Sequence, residues 1–414
     1  MGQFEYTLIA ATAILVLVAA AGVSRRIGVA APLLLVAVGA ALSYLPRAPV
    51  IRLESEWILL IVLPPLLYGA AVAFPVIDFR RNLAPIALLG VPLVIISALA
   101  VGLVLFLLFP ELNLASAIAL GAVLSPTDAV SATSIAKRIG LPARVVTVLE
   151  GESLVNDASA LVLLRTAIAA GAAVFDLPSA VATFAWATIG AIAVGAAVGL
   201  LAAWLRGRFA DPVLVTSISF AVPFFAYAPA EAINASGVIA VVTTGLIVGH
   251  HTGRAHAPEL RFAEQTNWRT LCFLLENGVF LLMGYQLREY IADDIHDGYQ
   301  PGYTIALGLL AVLVLVVVRL AFTLPMFAAL GRGRGRVEQM GTRRAALVGW
   351  SGMRGVVTVA AVQALPESTP YRSALVLIAF TAAAATLLIG GLTLPPLARR
   401  LEPPGYSAVG DDPA

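Results

Sequence analysis

The run Glu150-Gly151-Glu152-Ser153-Leu154-Val155-Asn156-Asp157 gathers three carboxylates, a hydroxyl and a neutral amide in one stretch. Ser153 and Asp157 stand at i and i+4, so on a helix their oxygens share one face. Asn156 flanks that face, while Glu152 lies about 140° round from Asp157 and points elsewhere. One carboxylate beside a hydroxyl and an amide offers a single titratable charge among oxygen ligands. A hard monovalent cation or a proton can neutralise it, but not both together. Burial disfavours an uncompensated carboxylate, so the two compete. The alternative is a scaffold ion pair between Asp157 and Arg165, two turns on.

Two further stretches look built to expose backbone. In Leu124-Ser125-Pro126-Thr127-Asp128, the proline removes a helix donor and strains the preceding turn. In Ser351-Gly352-Met353-Arg354-Gly355, two glycines flank an arginine. Unwound carbonyls at such breaks are ready ligands for a cation.

The elements that must position these groups follow from composition. Of 414 residues, 60% are apolar and 12% charged, and mean hydropathy is +0.93. A soluble chain has about a quarter of its residues charged, so a soluble domain, disorder and a coiled coil are all excluded. Cys272 is the single cysteine, which excludes a disulfide framework. Thirteen mostly apolar segments have spanning length: about 4–22, 27–44, 56–74, 83–109, 114–137, 144–171, 179–205, 211–226, 230–249, 267–289, 302–330, 342–365 and 371–397. The first lacks a basic leader and is read as a retained helix.

Of 26 Lys and Arg residues, 19 fall in connections after odd-numbered spans and 4 after even-numbered ones; Arg165, Arg319 and Arg354 lie inside spans. Positive charge stays cytoplasmic, so the amino terminus is expected outside and the carboxyl terminus inside. Residues 1–400 then form one membrane domain and 401–414 a short cytoplasmic tail. The sequence Gly331 to Arg336 (GRGRGR) is expected to be a basic cytoplasmic connection.

Asp157 and Arg354 each lie roughly 18–20 Å into their spans, near the bilayer midplane. Ionisable groups there are costly and mark function. The two breaks fall in spans five and twelve, which correspond if spans 1–6 and 8–13 are inverted repeats joined by span seven. Paired broken helices of this kind point to a secondary transporter.

The runs SPTDAVSAT (125–133), GESLVNDASALVL (151–163), SGVIAVVTTGLIVG (236–249) and GWSGMRGVV (349–357), with the Leu63-Pro64-Pro65 turn, resemble the NhaP-like sodium/proton exchangers of the monovalent cation:proton antiporter family. The likeness covers essentially the whole chain. It implies an all-α, thirteen-helix fold with a dimerisation part and a six-helix ion-translocating core, working as a homodimer in the plasma membrane. It also implies antiport of Na⁺ or Li⁺ against H⁺ by alternating access, with no cofactor. Asp157 corresponds to the carboxylate that takes ion or proton, Ser153 to a side-chain ligand, and Thr127 to a backbone-carbonyl ligand of Na⁺. Asn156 corresponds to the asparagine of electroneutral members. Glu152 and Arg354 correspond to a pair bracing span six against span twelve, and Asp128 to the acid capping half-helices at the crossing. Many members carry an acid after the Pro-Pro turn, where this chain has Gly69. A K⁺/H⁺ antiporter of the same fold stays open, and a cation channel more remotely.

Other polar residues receive structural readings. His250, His251 and His256 are placed in a solvated loop after span nine, Glu231 at the start of span nine, and Glu276 of span ten is paired with Arg319 of span eleven. Four histidines placed in loops and one cysteine form no hydrolase constellation, so no enzyme activity is expected. Nothing points to a nucleic-acid partner.

Overall fold

The computed structural model describes residues 3–27, 30–45, 58–109, 112–128, 132–133, 135–136, 140–172, 177–255, 258–330, 341–363, 365 and 369–401. Every regular element among them is helical. In chain order these are α1 (Gln3–Ile27), α2 (Ala31–Ser43), α3 (Leu63–Ala73, entered through a π-helical turn, Ile58–Val62), α4 (Val76–Arg81), α5 (Leu83–Gly90), α6 (Pro92–Leu108), α7 (Leu114–Leu124), α8 (Ala143–Ala172), α9 (Leu177–Arg206) and α10 (Pro212–Ala232). They continue with α11 (Gly237–Ala255), α12 (Pro258–His296), α13 (Pro301–Leu330), α14 (Thr342–Trp350), α15 (Val356–Gln363) and α16 (Arg372–Leu401).

Seven helical stretches among the described residues are long and apolar enough to cross a bilayer unaided. Shorter apolar helices occupy the remaining predicted segments, and the twelfth is divided between α14 and α15. Of the expected tail 401–414, Leu401 ends α16 and the rest lies outside the described residues, as do the GRGRGR connection and His256.

Local chemistry explains several boundaries. Asn113 caps α7 by accepting from the Ser116 amide at 2.8 Å. Asp211 does the same for α10 through Val213 N–H at 2.8 Å, with Pro212 next to it. The expected single helix over 83–109 breaks at Val91 before Pro92. The predicted eighth span ends too early. Pro223 and Pro229 both sit inside α10, and the chain turns instead at Asn234, which takes a left-handed φ of 57°. Glu231 therefore belongs to the end of α10. The histidine loop is also corrected: α11 runs on to Ala255, so His250 and His251 are helical, and His251 Nδ1 lies 2.9 Å from Ile247 O.

The helices pack as two groups. One contains α5 to α8 and α13 to α16. The other contains α1 to α3 and α9 to α12. Within the second, α2 and α12 touch backbone to backbone: a Cβ on Gly39 would lie 2.2 Å from Leu281 O, and one on Gly284 2.1 Å from Val36 O. Small residues allow such approach between apolar helices. Contacts between the groups are sparser, and a deep cavity lies between them.

Candidate ion-binding site

Both predicted breaks are present. α7 stops at Leu124 and the chain runs non-helically through Ser125–Asp128; α14 stops at Trp350 and α15 starts at Val356. The two interruptions cross and bond to each other, with Asp128 N–H donating to Met353 O at 2.7 Å. Arg354, almost wholly buried, donates through Nη1 to Ser125 O (2.6 Å) and Pro126 O (2.9 Å). Those are carbonyls that a broken helix would otherwise leave orphaned. The Arg354 amide is satisfied by Thr386 Oγ1 at 3.0 Å. Asp128 packs against Gly355 so closely that a Cβ there would sit 2.5 Å from Asp128 Cγ. Its carboxylate thus stands at the start of α15, where the helix end favours an anion.

α8 supplies the second half of the site. Ser153 Oγ donates to Thr127 O at 2.9 Å. Thr127 Oγ1 donates to Glu152 Oε1 (3.1 Å) and accepts from Asn156 Nδ2 (2.8 Å). The hydroxyl has one proton, which goes to the carboxylate, so the amide must offer its nitrogen. That turns Asn156 Oδ1 away. It is buried with no hydrogen-bond partner among the described residues.

The bracing pair differs from expectation. Glu152 forms a bidentate pair with Arg319 of α13, at 2.5 and 2.8 Å, rather than with Arg354. Arg319 also donates to Val348 O, where α14 approaches the break, at 3.1 and 3.3 Å. Glu276 consequently does not pair with Arg319. Nor does Asp157 pair with Arg165, whose partner is Glu231 at 2.8 Å.

A cavity of ≈ 790 Å³ reaches this junction. Thr127, Asp128, Ser153 and Asp157 are in its wall, while Glu152, Asn156 and Arg354 support the wall from behind. Asp157 is 6% exposed and makes no hydrogen bond or ion pair among the described residues. A carboxylate so placed, beside an unwound carbonyl and a hydroxyl, can exchange a proton for a dehydrated cation.

Three features escaped the sequence reading. Arg319 was visible as an intramembrane arginine, but its partner was not. Glu276 of α12 lines the same cavity. Arg206, counted with the loop cations, is buried and bound to Glu264 at 2.6 Å; Glu264 also accepts from Ser219 Oγ at 2.8 Å.

Residues 12–400 match the family described as sodium/hydrogen exchanger, transmembrane. An uncharacterized Na(+)/H(+) exchanger of Mycobacterium tuberculosis is 33% identical over 406 residues, covering 93% of this chain and 73% of its own. The Na(+)/H(+) antiporter ApNhaP of Aphanothece halophytica is 31% identical, with 89% and 69% covered. The sodium, potassium, lithium and rubidium/H(+) antiporter of Bacillus subtilis is 29% identical, with 88% and 57% covered. The sodium proton antiporter MjNhaP1 of Methanocaldococcus jannaschii shares the fold, with a TM-score of 0.75 at 17% identity over 96% of this chain and 99% of that one.

Proposed function

Since the chain belongs to the sodium/hydrogen exchanger family of membrane transporters, we propose that it exchanges Na⁺ or Li⁺ for H⁺ by alternating access, with Asp157 taking either ion or proton. One observation carries this reading: Asp157 is nearly buried, lacks a protein partner among the described residues and still borders the cavity. A buried anion left bare is unstable. It is stable when protonated or when a cation sits against it, and these two states are the loaded states of the cycle.

Ser153 and Thr127 share the cavity wall with Asp157 and offer neutral oxygen ligands, while Asn156, behind the wall, holds Thr127 through its amide. Arg354 and the Glu152–Arg319 pair hold the breaks in register without entering the cavity, so the carried charge is that of Asp157. The cavity is also lined by Phe74 and Pro75, at the end of α3, and by Arg261 and Gln265, near the start of α12, next to connections rich in arginine that mark its rim. The positive-inside rule makes that rim cytoplasmic, so this conformation faces inward.

In this reading all thirteen segments span the plasma membrane, the amino terminus is outside, and two inverted repeats meet at the crossing. The group containing α8 is the moving core. The group containing α2 and α12 is the stationary part and carries the homodimer contact. A K⁺/H⁺ exchanger is the second reading, supported by the Bacillus relative that bears potassium in its name. The test is reconstitution into vesicles with an internal pH dye, challenged in turn with Na⁺, Li⁺ and K⁺. Dye responses to Na⁺ and Li⁺ that exceed the response to K⁺ are expected. A K⁺ response equal or larger favours the second reading, and no response to any cation refutes both.

A further inference from the structure

Resting on the antiport reading above, we propose that Glu276 is a second cation-handling carboxylate, fixed to the stationary side of the pathway and used only when the cavity opens toward the arginine-rich rim. Glu276 belongs to α12, which packs along α2 and against α3, whereas Asp157 belongs to α8 in the other packing group. Both acids line the same cavity, from opposite groups.

Glu276 is 9% exposed and has no hydrogen-bond or ion-pair partner among the described residues. A bracing role needs something to brace, and nothing described here meets its carboxylate. Arg319, the nearest candidate from sequence, is taken by Glu152. The cations of its own helix that border the cavity, Arg261 and Arg269, lie toward the rim. Arg269 is seven residues away, about 10 Å along the axis. Asp128 is the acid that acts electrostatically on Glu276, and it acts on Asp157 too. Five acidic residues line the one cavity, Asp128, Glu150, Asp157, Glu264 and Glu276, of which Glu264 is paired with Arg206, and their field draws a cation inward past the arginines.

Gly69 makes this placement possible. A Cβ at Gly69 would lie 2.6 Å from Cys272 Sγ and 3.1 Å from Trp268 Cε3. α12 is seated against α3 at that glycine, and Cys272 and Glu276 are one turn apart on the same helical face. The close seat of Cys272 on Gly69 thus sets how far Glu276 reaches across the cavity.

When the core moves to open the opposite side, Asp157 travels and Glu276 stays. Glu276 should then assist capture and release at one face only. The experiment compares wild type, Glu276→Gln, Glu276→Asp and Asp157→Asn in right-side-out and everted membrane vesicles, reading half-saturating Na⁺ at each face. Glu276→Gln is expected to raise it about tenfold at the cytoplasmic face, the scale of one charge acting through roughly 10 Å of partly polar medium. At the other face it should stay within the scatter of the wild type. Glu276→Asp should fall between, and it carries the test if the Gln variant is unstable. Equal shifts at both faces, or none at either, overturn the proposal while leaving Asp157 exchange intact. A wild type without cation-driven proton movement, or an Asp157→Asn variant that still exchanges, overturns the antiport reading itself.

Discussion

Asp157 and Glu152 are five residues apart on one helix, and their surroundings give them opposite tasks. Glu152 is saturated by Arg319 and Thr127, whereas Asp157 borders the cavity with no partner among the described residues. Asp157→Asn should therefore abolish cation-dependent proton movement in dye-loaded vesicles and leave the melting temperature near wild type, since it removes a charge that no partner was holding. Glu152→Leu strands the buried Arg319 guanidinium. Leaving one member of a buried pair uncompensated costs about 3–5 kcal/mol, and thermal unfolding in detergent should show it. The double variant Glu152→Leu/Arg319→Leu should regain much of that loss, because an apolar pair of similar size replaces both charges. A double variant no more stable than the single would mean that the Val348 carbonyl and Thr127, both deprived of a partner, dominate instead.

The two breaks were legible as elements because proline in Ser125-Pro126-Thr127 and glycine around Arg354 are local signals. Their crossing was legible only as a correspondence between halves. What locked them together was not readable, since inter-helix pairing depends on the rotation of each helix about its axis. Arg354 lies in the right span for Glu152, yet its guanidinium turns to Ser125 and Pro126, and Arg319 arrives from α13 beneath Gly352. Glu276 was misassigned for the same reason, its spacing being compatible with a lipid-side, a core or a cavity face. At this scale a close junction that bears directly on the crossing is Gly355 against Asp128. Gly355→Ala would force a methyl to within 2.5 Å of Asp128 Cγ. Overpacking of this sort costs about 1–3 kcal/mol, and here relief requires moving Asp128 or the start of α15. The variant should stay folded but lose most of its exchange rate, which a transport assay alongside a melting curve would separate. Normal transport in Gly355→Ala would show that the crossing tolerates displacement.

For the whole molecule, the division into two packing groups bears on how much charge the proposed cycle would move. Of the carboxylates bordering the cavity, Asp157 is the one the proposed core carries without a partner among the described residues, and Asn156 beside it is neutral. Glu276 sits on the group proposed to stay in place, so a proton or cation held there does not complete the crossing. Asp128 moves with the core but is fixed at the start of α15 through its backbone bond to Met353 and its contact with Gly355. In the proposed cycle the moving core would carry Asp157 with one Na⁺ in one direction and with one H⁺ in the other, and its net charge would be the same both ways. A transmembrane potential supplies about 2.3 kcal/mol per 100 mV for each charge moved, but it acts on a cycle only through net charge. Exchange should therefore come to the same Na⁺ ratio at a fixed pH gradient whether or not a K⁺/valinomycin potential is imposed, and apparent Na⁺ affinity should fall as pH drops because protons compete at Asp157. With the outside more acidic, the proposed cycle predicts that H⁺ entry drives Na⁺ out. A Na⁺ ratio that follows the imposed potential would mean a second charge rides with the core. Repeating the measurement in Glu276→Gln and Asp128→Asn would then identify it, since only the residue that travels can abolish the dependence.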